Sequence, residues 1–135
     1  MSRIIAPSNE KRQGRLLIID DEDELREVLA IILEDYVAEI KTARNGEEAI
    51  EILKQERFNA VLSDEKMPKK TGLEVLKWMK ASNINTPFII HTGYGQKETI
   101  EQAQALQVFG FLDKPWQEDK LVTLVQAAIH KDLGL

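Results

Sequence analysis

The run Phe58-Asn59-Ala60-Val61-Leu62-Ser63-Asp64-Glu65-Lys66-Met67-Pro68 contains the pattern from which the fold is inferred. Its first part, 58–62, is mostly apolar and typical of a buried strand, whereas Pro68 excludes regular structure soon afterwards. Asp64 is therefore predicted at the carboxyl end of a buried strand. In open α/β sheets, this is the edge at which functional groups gather.

Three further apolar segments are followed by polar residues in the same way. The polar residues are Asp20-Asp21 after 16–19, Thr92-Gly93 after 88–91, and Asp113-Lys114-Pro115 after 108–112. If these strands are parallel neighbours, their carboxyl ends meet at one crevice. The crevice would then hold three carboxylates, a hydroxyl and an ammonium group.

The segments between the predicted strands have apolar residues at the three- and four-residue spacing of helices. Helices are predicted over 25–36, from Gly46 to about 56, from Gly72 to the break at 83–87, over 96–106, and over 117–131, with a short strand near an edge at 37–42. The fourth helix has the weakest apolar stripe, so we expect it to be the least firmly anchored. Strands that alternate with helices predict an α/β fold, (βα)5, with a parallel sheet covered on both faces.

The length and composition favour a single domain. We expect residues 1–14 to form a flexible lead, 15–131 the domain, and 132–135 its end or the start of a linker, with no second domain. The net charge of −5 gives no electrostatic case for direct nucleic-acid binding. The absence of cysteine excludes disulfide and thiolate chemistry. No apolar run approaches the ~20 residues that span a bilayer, and residues 1–15 lack a secretory signal, so we expect a cytoplasmic protein without membrane contact.

Three carboxylates in one crevice repel each other and require a cation. Oxygen ligands in an exposed cleft suit a hard ion such as Mg²⁺, with Mn²⁺ as an alternative. Asp64 then has two candidate roles, metal ligand and nucleophile in phosphoryl transfer, because a carboxylate can form an aspartyl phosphate. Lys114 and Thr92 could supply the ammonium and the hydroxyl that stabilise the transferred group.

Together these features resemble the receiver domain of response regulators, of the chemotaxis type, in the two-component signalling family. The resemblance covers about 15–131 and is specific, because the acidic pair, the Asp before Met-Pro and the Lys-Pro pair occur together. It implies a flavodoxin-like sheet with the strand order 2-1-3-4-5. The matching segments are Leu17-Ile18-Ile19-Asp20-Asp21, Asn45-Gly46-Glu47-Glu48-Ala49-Ile50, Ser63-Asp64 with Met67-Pro68 and Gly72, Thr92-Gly93, and Phe111-Leu112-Asp113-Lys114-Pro115.

The resemblance implies a role for each residue of the crevice. Asp64 would accept the phosphoryl group. Asp21 and Asp64 would bind Mg²⁺ directly, the backbone carbonyl of Lys66 would be a third ligand, and Asp20 would act through water. Lys114 would pair with the phosphoryl group. The domain would phosphorylate and dephosphorylate itself without acting as an enzyme on other substrates.

The resemblance also implies a conformational switch with its partners. Thr92 would rotate its hydroxyl onto the phosphoryl group, and Phe111 would turn inward in response. Lys66 and Tyr94 occupy positions that vary in this family and tune the lifetime of the phosphate. The donor would be a phosphohistidine on a sensor histidine kinase or a histidine phosphotransfer protein, and the target an output domain or protein that the sequence does not identify. The surface of the fourth helix, fifth strand and fifth helix would switch, and it could also pair two copies of the chain.

A few positions depart from the family pattern. Thr71 stands where Asp is common, and Gly93 stands where Ala is common. His91 precedes Thr92, and if Thr92 faces the crevice, strand alternation predicts that His91 points away from it as a structural residue. Trp116 is expected to pack over the start of the fifth helix.

Two other interpretations remain open at this point. An Mg²⁺-dependent phosphatase of the haloacid dehalogenase type would place its Asp nucleophile after the first strand. There, Glu22 and Glu24 interrupt the required Asp-x-Asp-x-Thr/Val pattern. The other interpretation is a docking module with an unused site, against which the intact Asp21, Asp64 and Lys114 argue.

Overall fold

A computed structural model describes residues 12–93 and 97–135, and these residues form one parallel five-stranded sheet with five helices. The strands are β1 Arg15–Ile19, β2 Glu39–Ala43, β3 Ala60–Asp64, β4 Phe88–Thr92 and β5 Gly110–Asp113. The helices are α1 Asp23–Leu33, α2 Gly46–Gln55, α3 Gly72–Ala81, α4 Lys97–Ala105 and α5 Glu118–Leu133.

The strand order is β2-β1-β3-β4-β5, and every neighbouring pair is parallel. The predicted α/β fold and the strand order implied by the family resemblance are both confirmed. From β1 the chain first proceeds outward to β2 and then crosses to β3 on the other side. The direction of winding therefore reverses between β1 and β3, and the crevice at their carboxyl ends is the topological switch point.

Two apolar layers cover the sheet, one on each face, because alternate strand residues point to opposite sides. One layer contains Leu17, Ile19, Val61 and Ile90 from the strands, with buried residues of α2, α3 and α4. The other contains Leu16, Ile18, Leu62, Ile89 and Leu112, with buried residues of α1 and α5. We refer to these as the α2–α4 layer and the α1/α5 layer.

Several element boundaries differ by a few residues from those predicted. The predicted strand 58–62 is observed as Ala60–Asp64, so Asp64 is its last residue rather than a residue beyond it. The Asn59 side chain accepts the Arg15 N–H at 2.8 Å and the Asn59 N–H donates to the Arg15 carbonyl at 2.8 Å. Because a side chain takes the place of a backbone acceptor, the regular ladder begins only at Ala60.

The second and fifth strands also begin later than predicted. The segment 37–42 is observed as Glu39–Ala43, because the N–H groups of Ala38 and Glu39 both donate to the Gly14 carbonyl, at 3.1 and 3.2 Å. The segment 108–112 is observed as Gly110–Asp113. Most of the predicted lead, 1–11, lies outside the described residues. Within the described ranges, no helix is both long enough and apolar enough to cross a membrane.

Candidate functional site

Three carboxylates meet where β1 and β3 end. Asp20 directly follows β1, Asp21 is the next residue, and Asp64 is the last residue of β3. One carboxylate oxygen from each residue lies within 4.8 Å of the other two. Asp20 and Asp64 are buried, whereas Asp21 is exposed. The cluster is therefore a pocket that opens to solvent on the side of Asp21.

The electrostatics of this pocket favour a bound cation. Burial raises the pKa of Asp20 to about 6, against the lowering effect of the Glu22 N–H that its Oδ1 accepts at 2.9 Å. Burial also raises the pKa of Asp64, and the charge of Lys114 opposes this rise. In the described part of the chain, the buried Oδ2 of Asp20 has no hydrogen-bond partner. A buried carboxylate oxygen without a donor, on a residue of an acidic cluster, is a natural ligand for a hard metal ion or its water.

Lys114 supplies a positive charge beside Asp64. Its Nζ lies 3.2 Å from Asp64 Oδ1. Its backbone N–H donates to the Thr92 carbonyl at 2.8 Å, so the end of β4 and the residue that follows β5 are held together. The aliphatic part of the Lys114 side chain lies close to Gly93. A Cβ added to Gly93 would lie 3.8 Å from Lys114 Cβ. An alanine at position 93 would make only ordinary contacts there.

An arginine of α1 fixes the acidic turn after β1. The Arg26 guanidinium donates to the Asp20 carbonyl at 2.8 Å and pairs with Asp23 at 2.5 Å. The Arg26 side chain is only 14% exposed, but Asp23 is 84% exposed, so the ion pair is open to solvent and contributes little by itself. The Arg26 backbone N–H closes the turn onto the Glu22 carbonyl at 3.0 Å. Arg26 therefore holds the backbone from which the carboxylates of Asp20 and Asp21 project.

Glu65 joins the end of β3 to the start of α3. Its N–H donates to Asp64 Oδ1 at 2.9 Å, and its carbonyl accepts the Gly72 N–H at 3.1 Å. Its carboxylate accepts the Leu73 N–H at 2.9 Å. Burial raises the pKa of Glu65 to about 7, although the Leu73 N–H acts in the opposite direction.

Gly72 is needed where α3 approaches β3. A Cβ at this position would lie 2.6 Å from the Asp64 carbonyl oxygen and 3.1 Å from Ser63 Oγ. Because one of these atoms belongs to the backbone, neither a rotamer change nor a small shift would relieve the contact. The helix itself is started by Thr71, whose hydroxyl caps the Glu74 N–H in a capping box. Thr71, which stands where Asp is common in the family, therefore still caps the N-terminus of α3.

The structure describes three of the remaining predicted site residues. Thr92 is the last residue of β4 and is buried. Phe111 on β5 is half-buried against the α2–α4 layer, and the Lys66 side chain is exposed. Tyr94 lies outside the described residues. The structure brings Asp20, Asp21, Asp64 and Lys114 together as predicted, while the roles assigned to these and the other residues stay predictions.

His91 is fully buried, and its position differs from the alternation argument. In the parallel register it pairs with Asp64, so the two side chains share the sheet face of the α1/α5 layer. Its ring lies 6.1 Å from that of Trp116, and neither ring nitrogen has a hydrogen-bond partner among the described residues. Burial, together with the charge of Lys114, lowers the pKa of His91 to about 4. These features describe a neutral packing residue next to the pocket rather than remote from it.

Sequence patterns did not single out Arg26, Glu65 or the close approach at Gly72. Arg26 lies on the first turns of α1, where an arginine is ordinarily read as a solvated residue. Glu65 is one of many acidic residues, and its contact with Leu73 spans a loop whose path the sequence does not specify. The one available signal was that Glu65 is adjacent to Asp64.

The strand order and the acidic pocket at the switch point define a doubly wound, flavodoxin-like α/β domain. The family model described as the response regulator receiver domain matches residues 16–126, and the chain belongs to that family. The predicted resemblance is thereby confirmed.

The curated proteins that match this chain in sequence include longer regulators. The response regulator protein PilR of Pseudomonas aeruginosa is 36% identical over 86% of this chain, which spans 26% of PilR. The transcriptional regulatory protein FixJ of Bradyrhizobium diazoefficiens is 30% identical over 88% of this chain, which spans 58% of FixJ. The solved structure of the chemotaxis protein CheY4 of Vibrio cholerae has a TM-score of 0.78 and 29% identity, with 86% of this chain and 98% of that chain covered.

Proposed function

We propose that this receiver domain takes a phosphoryl group onto Asp64 from a phosphohistidine on a sensor histidine kinase or a histidine phosphotransfer protein. The observation that carries the proposal is the contact between Lys114 Nζ and Asp64 Oδ1, 3.2 Å, inside a cluster of three carboxylates. A nucleophile, a fixed cation and candidate metal ligands are thus present within one pocket. These are the groups that phosphoryl transfer requires, because its catalysis is mainly positioning and charge stabilisation.

In the proposed step, a carboxylate oxygen of Asp64 attacks phosphorus in line with the bond to the donor's imidazole nitrogen. The O–P bond forms as the N–P bond breaks, and the imidazole leaves with the electron pair. Lys114 holds its ammonium beside Asp64, where negative charge accumulates on the transferred group. Thr92, at the end of the neighbouring strand, provides a hydroxyl for the same oxygens. Water later hydrolyses the acyl phosphate, and no other substrate is turned over.

Mg²⁺ fits the donor set of this pocket. Asp21 and Asp64 would hold it, with the Lys66 carbonyl as a third ligand, and Asp20 would bind through water. The orphaned Oδ2 of Asp20 and the excess of three carboxylates over one lysine support this assignment. When bound, the ion neutralises the carboxylates and stabilises charge on the phosphoryl oxygens. Mn²⁺ would fit the same oxygen ligands.

We further propose that phosphorylation shifts the domain between two conformations. If the modified site favours one state by ~2–3 kcal/mol, the population ratio changes ~30- to 150-fold. Thr92 and Phe111 would transmit the change to the surface of α4, β5 and α5, which would contact an output partner or a second copy. Lys66 and Tyr94 would set the lifetime of the phosphate. PilR and FixJ are longer than this chain, so an output region elsewhere in the protein is part of this proposal.

The phosphatase alternative is less well supported by the geometry. A haloacid dehalogenase-type enzyme would use a nucleophile after β1, but the lysine contacts Asp64, the last residue of β3. Arg26 donates to the Asp20 carbonyl and to the Asp23 carboxylate, not to the Asp20 carboxylate that such an enzyme would use. No observation singles out a docking module with an unused site.

One experiment separates these functions. The protein is incubated with acetyl phosphate, with and without Mg²⁺, and both phosphoprotein formation and p-nitrophenyl phosphate hydrolysis are followed. The proposal expects Mg²⁺-dependent formation of a phosphoprotein without sustained hydrolysis of the ester. Sustained hydrolysis that survives Asp64→Ala but not Asp20→Ala would support the phosphatase instead.

A further inference from the structure

Glu65 makes hydrogen bonds in three directions from a single residue. Its N–H contacts Asp64 Oδ1, its carbonyl contacts Gly72, and its carboxylate contacts Leu73. The first contact is to the proposed phosphoacceptor, and the other two are to the first amides of α3. The first amides of a helix have no acceptor within the helix, so they donate readily to acceptors outside it.

The contacts of Glu65 close the β3–α3 loop at both ends. The loop leaves the sheet at Glu65 and rejoins regular structure at Gly72, where the backbones come so close that only glycine fits. Within it, Lys69 has φ 70°, a left-handed conformation that non-glycine residues rarely adopt. Such a conformation persists only when its surroundings enforce it. Lys66, whose carbonyl is the proposed third metal ligand, is the next residue after Glu65.

We infer that Glu65 is a positioning residue: its carboxylate, as a hydrogen-bond acceptor for α3, fixes the orientation of Asp64 and of the Lys66 carbonyl for the metal. This inference rests on the proposed function. This role requires a correctly placed acceptor oxygen and not a negative charge, because the Leu73 amide needs only an oxygen to which it can donate. Glutamine keeps that oxygen, whereas alanine removes it.

Glu74 offers a matched control at the same end of the same helix. Its carboxylate accepts the Thr71 N–H at 3.1 Å and is part of the capping box, but it makes no contact with Asp64. Removing either glutamate deprives α3 of one N-terminal acceptor. Only E65A also removes a side-chain contact between α3 and the residue that follows Asp64.

The test compares wild type, E65Q, E65A and E74A in two measurements. The first is the Mg²⁺ dissociation constant, at a temperature at which circular dichroism shows every variant folded. The second is amide exchange of Leu73 in the metal-free protein. We expect E65A to bind Mg²⁺ at least about tenfold more weakly, as is typical when a residue supporting a metal ligand is lost, with E65Q and E74A near wild type. The Leu73 amide should exchange faster in E65A only.

The outcomes are distinct. Equal weakening in E65Q and E65A would overturn the inference, because the effect would then come from charge. E65A with wild-type affinity would overturn it as well, as would equal losses in E65A and E74A, which would reduce Glu65 to a helix cap. If the wild type itself bound no Mg²⁺, the proposed function would fail, while unchanged Leu73 exchange in E65A would separately reject the role of Glu65.

Discussion

Asp20 contributes least to stability at neutral pH among the residues of the acidic pocket that are buried, because its charged form is disfavoured there. Asp20 is 1% exposed and lies beside two further carboxylates. Its raised pKa means that the folded state holds its proton more tightly than the unfolded chain does. The stability associated with this proton is present below the unfolded pKa of 3.8 and is lost as the pH rises through about 6.

Asp20→Asn should therefore stabilise the metal-free protein at neutral pH. The shift in pKa from 3.8 to about 6 corresponds to a gain of about 3 kcal/mol in the free energy of unfolding at pH 7. Urea denaturation in EDTA between pH 4 and 8 measures it, and the gain should grow with pH through this window. Asp21→Asn, which removes an exposed member of the same cluster, is the control and should gain less. A destabilised D20N at pH 7 would contradict the account of the pocket.

His91 is expected to show the opposite pH dependence. Burial holds it neutral, so the folded state loses stability as the pH falls from 6.5 towards 4. His91→Leu removes two buried ring nitrogens that lack partners among the described residues and should stabilise the fold by about 1 kcal/mol at pH 7, and by more at pH 5. Thermal denaturation at both pH values measures this, with the exposed His130→Leu as control. A loss of stability in H91L would indicate that the imidazole has a polar role.

Among the elements, α3 is held against the site more firmly than α4. Five buried residues anchor α3, whereas Ala103 is the only buried residue of α4 within Lys97–Ala105, which the structure describes in full. The predicted weak stripe of the fourth helix agrees with this difference. An element with few buried contacts opens at low free energy, and elements that move in switching belong to this group.

Gly72→Ala tests how closely α3 must approach β3. The added Cβ meets the Asp64 carbonyl oxygen at 2.6 Å, so we expect a loss of stability of about 2 kcal/mol or more. Gly93→Ala is the matched control, because its Cβ meets nothing closer than 3.8 Å among the described residues, and it should leave stability almost unchanged. Chemical denaturation of the two variants decides the point. Equal stability of G72A and wild type would show that the loop can relax.

Amide hydrogen exchange tests the difference between the helices directly. In the unmodified protein, the amides of α4 should exchange faster than the inner amides of α5, which has five buried residues. Addition of a beryllium fluoride phosphoryl mimic with Mg²⁺ should then change the exchange of α4. Identical exchange of α4 with and without the mimic would count against a switch that acts through this helix.

At the scale of the whole molecule, the sequence was sufficient for the fold class and the main members of the pocket. Buried strands that end in Asp20-Asp21, Asp64 and Lys114 could be recognised because strand periodicity and parallel topology bring strand ends together. The strand order came from the family resemblance, since periodicity does not specify which strands are neighbours.

The features that sequence analysis did not predict depend on atomic contacts across loops. The Asn59 side chain shifts the start of β3, and the contact of Glu65 with Leu73 depends on the path of the intervening loop. His91 and Thr92 point to opposite faces of the sheet, and it is His91 that the register aligns with Asp64. Side-chain alternation shows only which residues of one strand share a face. The register between strands is needed to tell which of those faces carries Asp64.

Intact-mass measurement after incubation with acetyl phosphate and Mg²⁺ tests the central claim most directly. Wild type and Asp64→Asn are compared, each with and without EDTA and with hydroxylamine treatment afterwards. We predict that the wild type gains one phosphoryl group only with Mg²⁺, that hydroxylamine removes it, and that the variant gains none. An equal gain in the variant, or a wild type that binds Mg²⁺ yet stays unmodified, would contradict Asp64 as the phosphoacceptor.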